Sequence, residues 1–307
     1  MKDLILKNSR IELTVPYFDN ELFSERFCSA AVIRQIRVDE RFYFCEPEQR
    51  IKERVTCGGV GLCCEYLWND LARECRRGEK FPKLGVGILT QIEDAKPYDM
   101  WRHYRVEPFH TSCEQYKNRI LFTQENNLCN GVAAILKKEI RLEDDSIIIS
   151  ETIQNIGERH LEFLEYQHNF LSIDGMQVGP GYHLEVPFDK TLSDITDCVT
   201  ELPDEVVRKT GVLTVSDQTI HWLRKMDGLT YYKSTPKKDI YAPNGYQWKL
   251  SHDNCPVAIR GEGNFNPARF DLWGIEHCVC PEVFEAWSIG KGECCSSYRK
   301  WHFESRR

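Results

Sequence analysis

Residues 165–175, Glu-Tyr-Gln-His-Asn-Phe-Leu-Ser-Ile-Asp-Gly, put a histidine and two carboxylates into a run that otherwise reads as a strand. Side chains alternate faces along a strand, so Tyr166, His168 and Phe170 share one side while Glu165, Gln167 and Asn169 share the other. A Tyr, a His and a Phe on one face make a polar aromatic surface. Such a surface suits a pyranose ring, whose C–H face lies on aromatic carbon while its hydroxyls take donors and acceptors. Alternation alone leaves a plainer reading open, a core histidine satisfied by a neighbouring backbone group.

A second constellation is Tyr98-Asp-Met-Trp-Arg-His-Tyr-Arg105. Trp101 can stack on a sugar ring, and Arg102, His103 and Arg105 can contact hydroxyls. If the segment is extended, Trp101, His103 and Arg105 share a face, which favours His103 and Arg105 over Arg102. The plainer alternative is an Arg-rich strand at a sheet edge. Tyr98, Tyr166 and Trp273 are further binding candidates, with Trp248 and His252 on the strand pattern of residues 247–252, although aromatics at such places are more often core.

Other patterns carry less chemistry. Gly58-Gly-Val-Gly61 lacks the lysine of a phosphate loop and the spacing of a dinucleotide motif, so it reads as a tight turn region. His277 and Cys278 are adjacent, hence point apart on a strand, and no third orienting group accompanies them, which argues against a cysteine nucleophile. The acidic stretch 189–211, with Asp194, Asp197, Glu201, Asp204 and Glu205, lacks the D-x-D-x-D-G pattern of a calcium loop and reads as a solvated surface excursion. Fourteen cysteines include the pairs Cys63-Cys64 and Cys294-Cys295 and the alternate Cys278 and Cys280. None has C-x-x-C spacing, so the expectation is reduced, mostly buried thiols, with no metal and no cofactor.

The elements that must hold these residues are strands. Alternating or β-branched runs fall at residues 11–15, 31–37, 119–123, 132–141, 146–155 and 161–170, then at 212–215, 229–232, 247–250, 270–279, 284–289 and 298–303. Leu-Glu-Asp-Asp at 142–145 supplies polar turn residues, so 132–155 reads as a long β-hairpin. One helix is expected at 65–77, where Leu67, Leu71 and Cys75 recur every four residues. Many short strands with turn signals between them predict an all-β fold, a large antiparallel β-sandwich with few short helices.

At 307 residues, 41% hydrophobic and 11% aromatic, the chain can bury a sizeable core, and a single domain over 1–307 is expected. A net charge of -7 and a pI near 5.8 argue against nucleic-acid binding, which needs clustered Lys and Arg. The longest basic run, Pro-Lys-Lys at 236–238 near Lys233, reads as a solvated loop. The N-terminus has only three consecutive apolar residues before Lys7, and nowhere do about 18 apolar residues run together. A cytoplasmic location without membrane association is the resulting expectation.

Three blocks in order carry a family resemblance. Gly58-Gly-Val-Gly-Leu62, Phe81-Pro-Lys-Leu-Gly-Val-Gly-Ile-Leu89 and Ala95-Lys-Pro-Tyr-Asp99 resemble the N-terminal half of bacterial galactose mutarotase-like, or aldose 1-epimerase-like, proteins. Asn155-Ile-Gly157, residues 165–175 and Gly179-Pro-Gly-Tyr182 resemble their middle. Leu272-Trp-Gly274, Cys280-Pro-Glu-Val-Phe284 and Ser297-Tyr-Arg-Lys-Trp-His-Phe303 resemble their C-terminal strands. The resemblance implies a twisted super-sandwich and the interconversion of α and β anomers of an aldose.

In that reaction an acid protonates the ring oxygen while a base takes the O1 proton. The resemblance assigns His168 as the acid and Glu282 as the base, with Glu285 as a competitor on the opposite strand face. The chain departs from the family in lacking the Asn-His-Leu-His-Gly-like motif that supplies a second histidine. Three functions therefore stand side by side: an aldose 1-epimerase, a carbohydrate-binding protein without turnover, and an isomerase or lyase for an acidic or phosphorylated sugar held by Arg102 or Arg105.

Overall fold

The structure, a computed structural model, describes residues 2–19, 21–49, 58–186, 212–227, 230–233 and 245–305. These residues hold strands β1 to β22 and a single short 3-10 helix, Asn69–Glu74. No described helix is long and apolar enough to cross a membrane. The acidic stretch 189–211 and the basic run 236–238 lie outside the described residues.

Two antiparallel sheets form the sandwich. One has ten strands, and its centre contains β11 (Val132–Leu142), β12 (Ser146–Asn155) and β22 (Cys294–Ser305). The expected hairpin is there, with Leu142 paired to Ile147 and Ala134 to Asn155. The other sheet has five strands: β17 (Thr230–Lys233), β20 (Arg269–Ile275), β21 (Cys278–Ile289), β13 (Leu161–Asn169) and β5 (Leu62–Leu67), in that order. A four-stranded sheet of β1 (Lys2–Lys7), β2 (Ile11–Tyr17), β3 (Gln35–Val38) and β4 (Phe42–Tyr43) and a three-stranded sheet of β6 (Lys80–Lys83), β7 (Gly87–Thr90) and β8 (Val106–Pro108) complete the fold.

Four expectations change. The helix at 65–77 shrinks to the 3-10 segment, because residues 62–66 are buried on both faces as a strand against β13 and so lose the alternation that marks a half-exposed strand. Residues 98–105 form turns rather than a strand: the Trp101 amide donates to Asp99 Oδ1 at 2.9 Å and the Arg102 amide to the Asp99 carbonyl at 3.1 Å. The run 270–279 breaks at Glu276 and His277, and its last residues join 284–289 in the long β21. The run 31–37 is strand only from Gln35, since Ala31 sits at φ 61°.

The face of the five-stranded sheet that packs on the ten-stranded sheet carries charge as well as apolar residues. Arg299 Nη2 reaches Glu165 Oε2 at 2.5 Å, Lys138 Nζ lies 3.3 Å from Glu151 Oε2, and Tyr66 donates to Glu151. Trp301 Nε1 donates to Asn169 Oδ1 at 2.9 Å, and Ser297 donates to Glu285 Oε2 at 2.8 Å. Glu165 and Asn169 therefore face the interior, and the opposite face is left for Tyr166, His168 and Phe170.

Candidate active site

Strand pairing assembles the site. His168 is paired with Cys63 of β5 on one side, while Gln167 is paired with Val283 of β21 on the other, which brings Glu282 beside His168. Alternation along β21 then sends Glu285 to the other face, where it meets Ser297 and Arg299. His168 Nδ1 lies 2.8 Å from Glu282 Oε1, with the carboxylate oxygen off the direction of the ring nitrogen's bond. His168 is 2% exposed and Glu282 5%.

Two charged side chains meet the ring's other nitrogen. His168 Nε2 is 3.7 Å from Glu65 Oε2 and 3.5 Å from Arg26 Nη2. Glu65 is fully buried, accepting from Arg26 Nε at 2.6 Å, from the Tyr166 hydroxyl at 2.7 Å and from Lys83 Nζ at 3.2 Å. Burial by itself raises the pKa of Glu65, but Arg26 and Lys83, then His168, overcome it and hold the carboxyl well below its usual range. For His168, burial favours the neutral ring, and the Glu282 carboxylate followed by Glu65 outweighs it, so its pKa is raised toward the imidazolium. Burial also lifts Glu48, which accepts from the Gly59 amide at 2.9 Å and lies 3.7 Å from Arg26.

Rings pack along this face in a ladder. Arg269 lies 3.7 Å above Phe284, Phe284 stacks on Tyr166 at 4.1 Å, and Tyr166 and Phe170 lie 4.2 and 5.3 Å from the His168 ring. Phe27 meets His168 edge-on at 4.9 Å. Trp273, paired with Cys280, contacts Phe170 at 5.6 Å and is partly exposed at the border of the site. Gly59 lets Phe170 in, since a Cβ there would stand 2.1 Å from the Phe170 ring.

Of the sequence-derived candidates, His168, Glu282, Tyr166 and Trp273 converge. Tyr98 is one layer back, its ring 4.2 Å under Lys83 Nζ and its hydroxyl donating to the Glu25 carbonyl. Trp101 is 50% exposed, His103 is exposed with Nδ1 3.5 Å from Glu25, and Arg105 is exposed. Arg102 is paired with Glu93 at 2.7 Å, and Trp248 is buried in the ten-stranded sheet against Gly261. His277 contacts the Pro47 carbonyl through Nε2 at 2.9 Å. The sequence reading missed Arg26, Glu48, Glu65 and Lys83. The one available cue was Glu65 set among Leu62, Cys63, Cys64 and Tyr66, and reading that stretch as the start of a surface helix concealed it.

No protein-family model matches the chain, and no curated protein does. Solved structures similar to it include a galactose mutarotase-like protein from Lactobacillus casei (TM-score 0.60, 13% identity, 99% of this chain and 100% of that one). Others are a galactose mutarotase related enzyme from Lactobacillus acidophilus (0.58, 11%, 99% and 98%) and a GalM/aldose epimerase homologue from C. elegans (0.54, 10%, 100% and 99%). The chain has the galactose mutarotase-like fold.

Proposed function

We propose that this protein catalyses the interconversion of α and β anomers of an aldose through acid/base ring opening. The contact between His168 Nδ1 and Glu282 Oε1 at 2.8 Å carries the reading. The two oxygens that exchange protons in mutarotation, the ring oxygen and O1, are bonded to the same carbon, so their acid and base must sit side by side. Glu282 accepts the O1 proton while the His168 imidazolium gives its proton to the ring oxygen, and the C1–ring oxygen bond breaks to leave a free aldehyde. Rotation about C1–C2 and return of both protons close the ring as the other anomer. Glu65 and Arg26 act on His168 from behind as positioning residues. Trp273, at the open border, offers a face for the sugar ring.

Both proton-transfer groups are buried, so an aldose reaches them only by displacing covering side chains, Phe27 among them. The fold likeness to mutarotase-related proteins supports the reaction class and leaves the sugar open. The test follows freshly dissolved α-glucose and α-galactose, then a wider aldose panel, by NMR with and without protein, against a blank for spontaneous mutarotation. Faster equilibration that disappears in His168→Ala and in Glu282→Gln is expected. No acceleration for any aldose would sink the reading and favour a sugar-binding protein without turnover.

A further inference from the structure

We propose that His168, Cys280 and Glu282 form a binding site for a divalent transition-metal cation of the zinc type. Local spacing does not reveal it, because the ligands come from two strands and have none of the usual ligand spacings. One donor atom from each residue lies within 4.8 Å of the other two, and all three residues are buried. Cys280 Sγ is 3.4 Å from Glu282 Oε1, and His168 Nδ1 is 2.8 Å from the same oxygen. Metal bonds of about 2.0 to 2.3 Å to N, O and S place such donors roughly 3 to 4 Å apart, so the atoms need only small shifts.

Two further observations point to a ligand. His168 Nδ1 is buried and has no well-directed hydrogen-bond partner, which is costly for a polar atom unless another group engages it. The Asn169 amide donates to Cys280 Sγ at 3.0 Å, an outer hydrogen bond of the kind that orients and stabilises a metal thiolate. The donor set also selects the ion. One nitrogen, one sulfur and one carboxylate oxygen suit zinc or cobalt and disfavour magnesium or calcium, which take oxygen.

Charge balances as well. The incoming dication replaces two protons, that of the Cys280 thiol and that of the His168 ring nitrogen, and both leave to solvent as the S–H and N–H bonds give way to sulfur–metal and nitrogen–metal bonds. With a neutral His168 and the Glu282 carboxylate, the metal and its ligands then sum to zero, as a buried site requires. Three protein ligands leave a fourth position for water or another small donor. Occupation would withdraw both proton-transfer groups from the reaction proposed above. That consequence rests on the epimerase reading, whereas metal binding does not.

The test titrates the reduced, chelator-treated full chain with Co2+ and then displaces it with Zn2+. Wild type is expected to bind one Co2+ per chain with a thiolate-to-cobalt charge-transfer band. Cys280→Ser should lose the band, and the near-isosteric Glu282→Gln should bind Zn2+ at least about tenfold more weakly. Absence of cobalt binding in wild type, a band undiminished in Cys280→Ser, or unchanged zinc affinity in Glu282→Gln would each overturn the site. If Cys280→Ser does not fold, Glu282→Gln and His168→Ala decide. Anomer exchange measured separately in chelator keeps the two proposals apart, since cobalt binding without exchange sinks the epimerase alone.

Discussion

The two faces of the five-stranded sheet both bury charge, yet they are built differently. On the inner face, Glu165, Glu285, Arg299, Lys138 and Glu151 are all held by strands of the two facing sheets. On the outer face, Glu65, Tyr166, His168 and Glu282 stand on strands, but Arg26 and Glu48 arrive from irregular segments, and a histidine and a thiol join the set. Charges locked between two sheets offset one another's desolvation cost, so losing one partner strands the other. Charges met by a histidine and by residues of irregular segments have the composition that the proposed proton transfer and metal ligation need.

His168→Ala should lower the rate of aldose anomer exchange by about 10²- to 10⁴-fold, the usual worth of a positioned acid. Its urea midpoint should move much less than that of Arg299→Ala. The inner-face counterpart, Arg299→Ala, strips Glu165 and Glu285 of their cation and should cost about 3–5 kcal/mol by urea denaturation. If the two variants lose stability equally, the contrast between the faces fails.

Glu285 sharpens the comparison through pH. Burial above all, with Glu165 adding and Arg299 opposing, pushes its pKa up to about 8. The folded state therefore holds this proton more tightly than the unfolded chain, so the associated stability is full below the ordinary carboxylate pKa and is lost as pH rises toward about 8. Glu285→Gln should flatten that loss, of the order of a few kcal/mol, in urea midpoints taken across the interval. A slope identical to wild type would remove Glu285 from the ionic layer.

Smaller effects belong to the border of the outer face. Trp273→Ala should weaken sugar binding by about 1 kcal/mol, or roughly fivefold, in an NMR titration. Trp101→Ala, at a half-exposed turn position, should change stability by less than about 0.5 kcal/mol. A large loss of sugar affinity in Trp101→Ala with none in Trp273→Ala would relocate the ring platform to residues 98–105.

Alternation and turn chemistry in the sequence determine that the chain is a large antiparallel β protein, that 132–155 is a hairpin, and that Tyr166, His168 and Phe170 share a face. They also put Glu282 and Glu285 on opposite faces, because a two-residue period needs no knowledge of neighbours. The pairing of His168 with Glu282 was legible only through the family resemblance. Tertiary structure alone decided the rest. Glu65 lies in a strand buried on both faces, where periodicity vanishes; Arg26 and Lys83 reach it, and Glu48 meets Arg26, from other segments of the chain. Which strand lies beside which, and therefore which charges meet, is fixed by long-range register, and a single sequence read locally has no term for it.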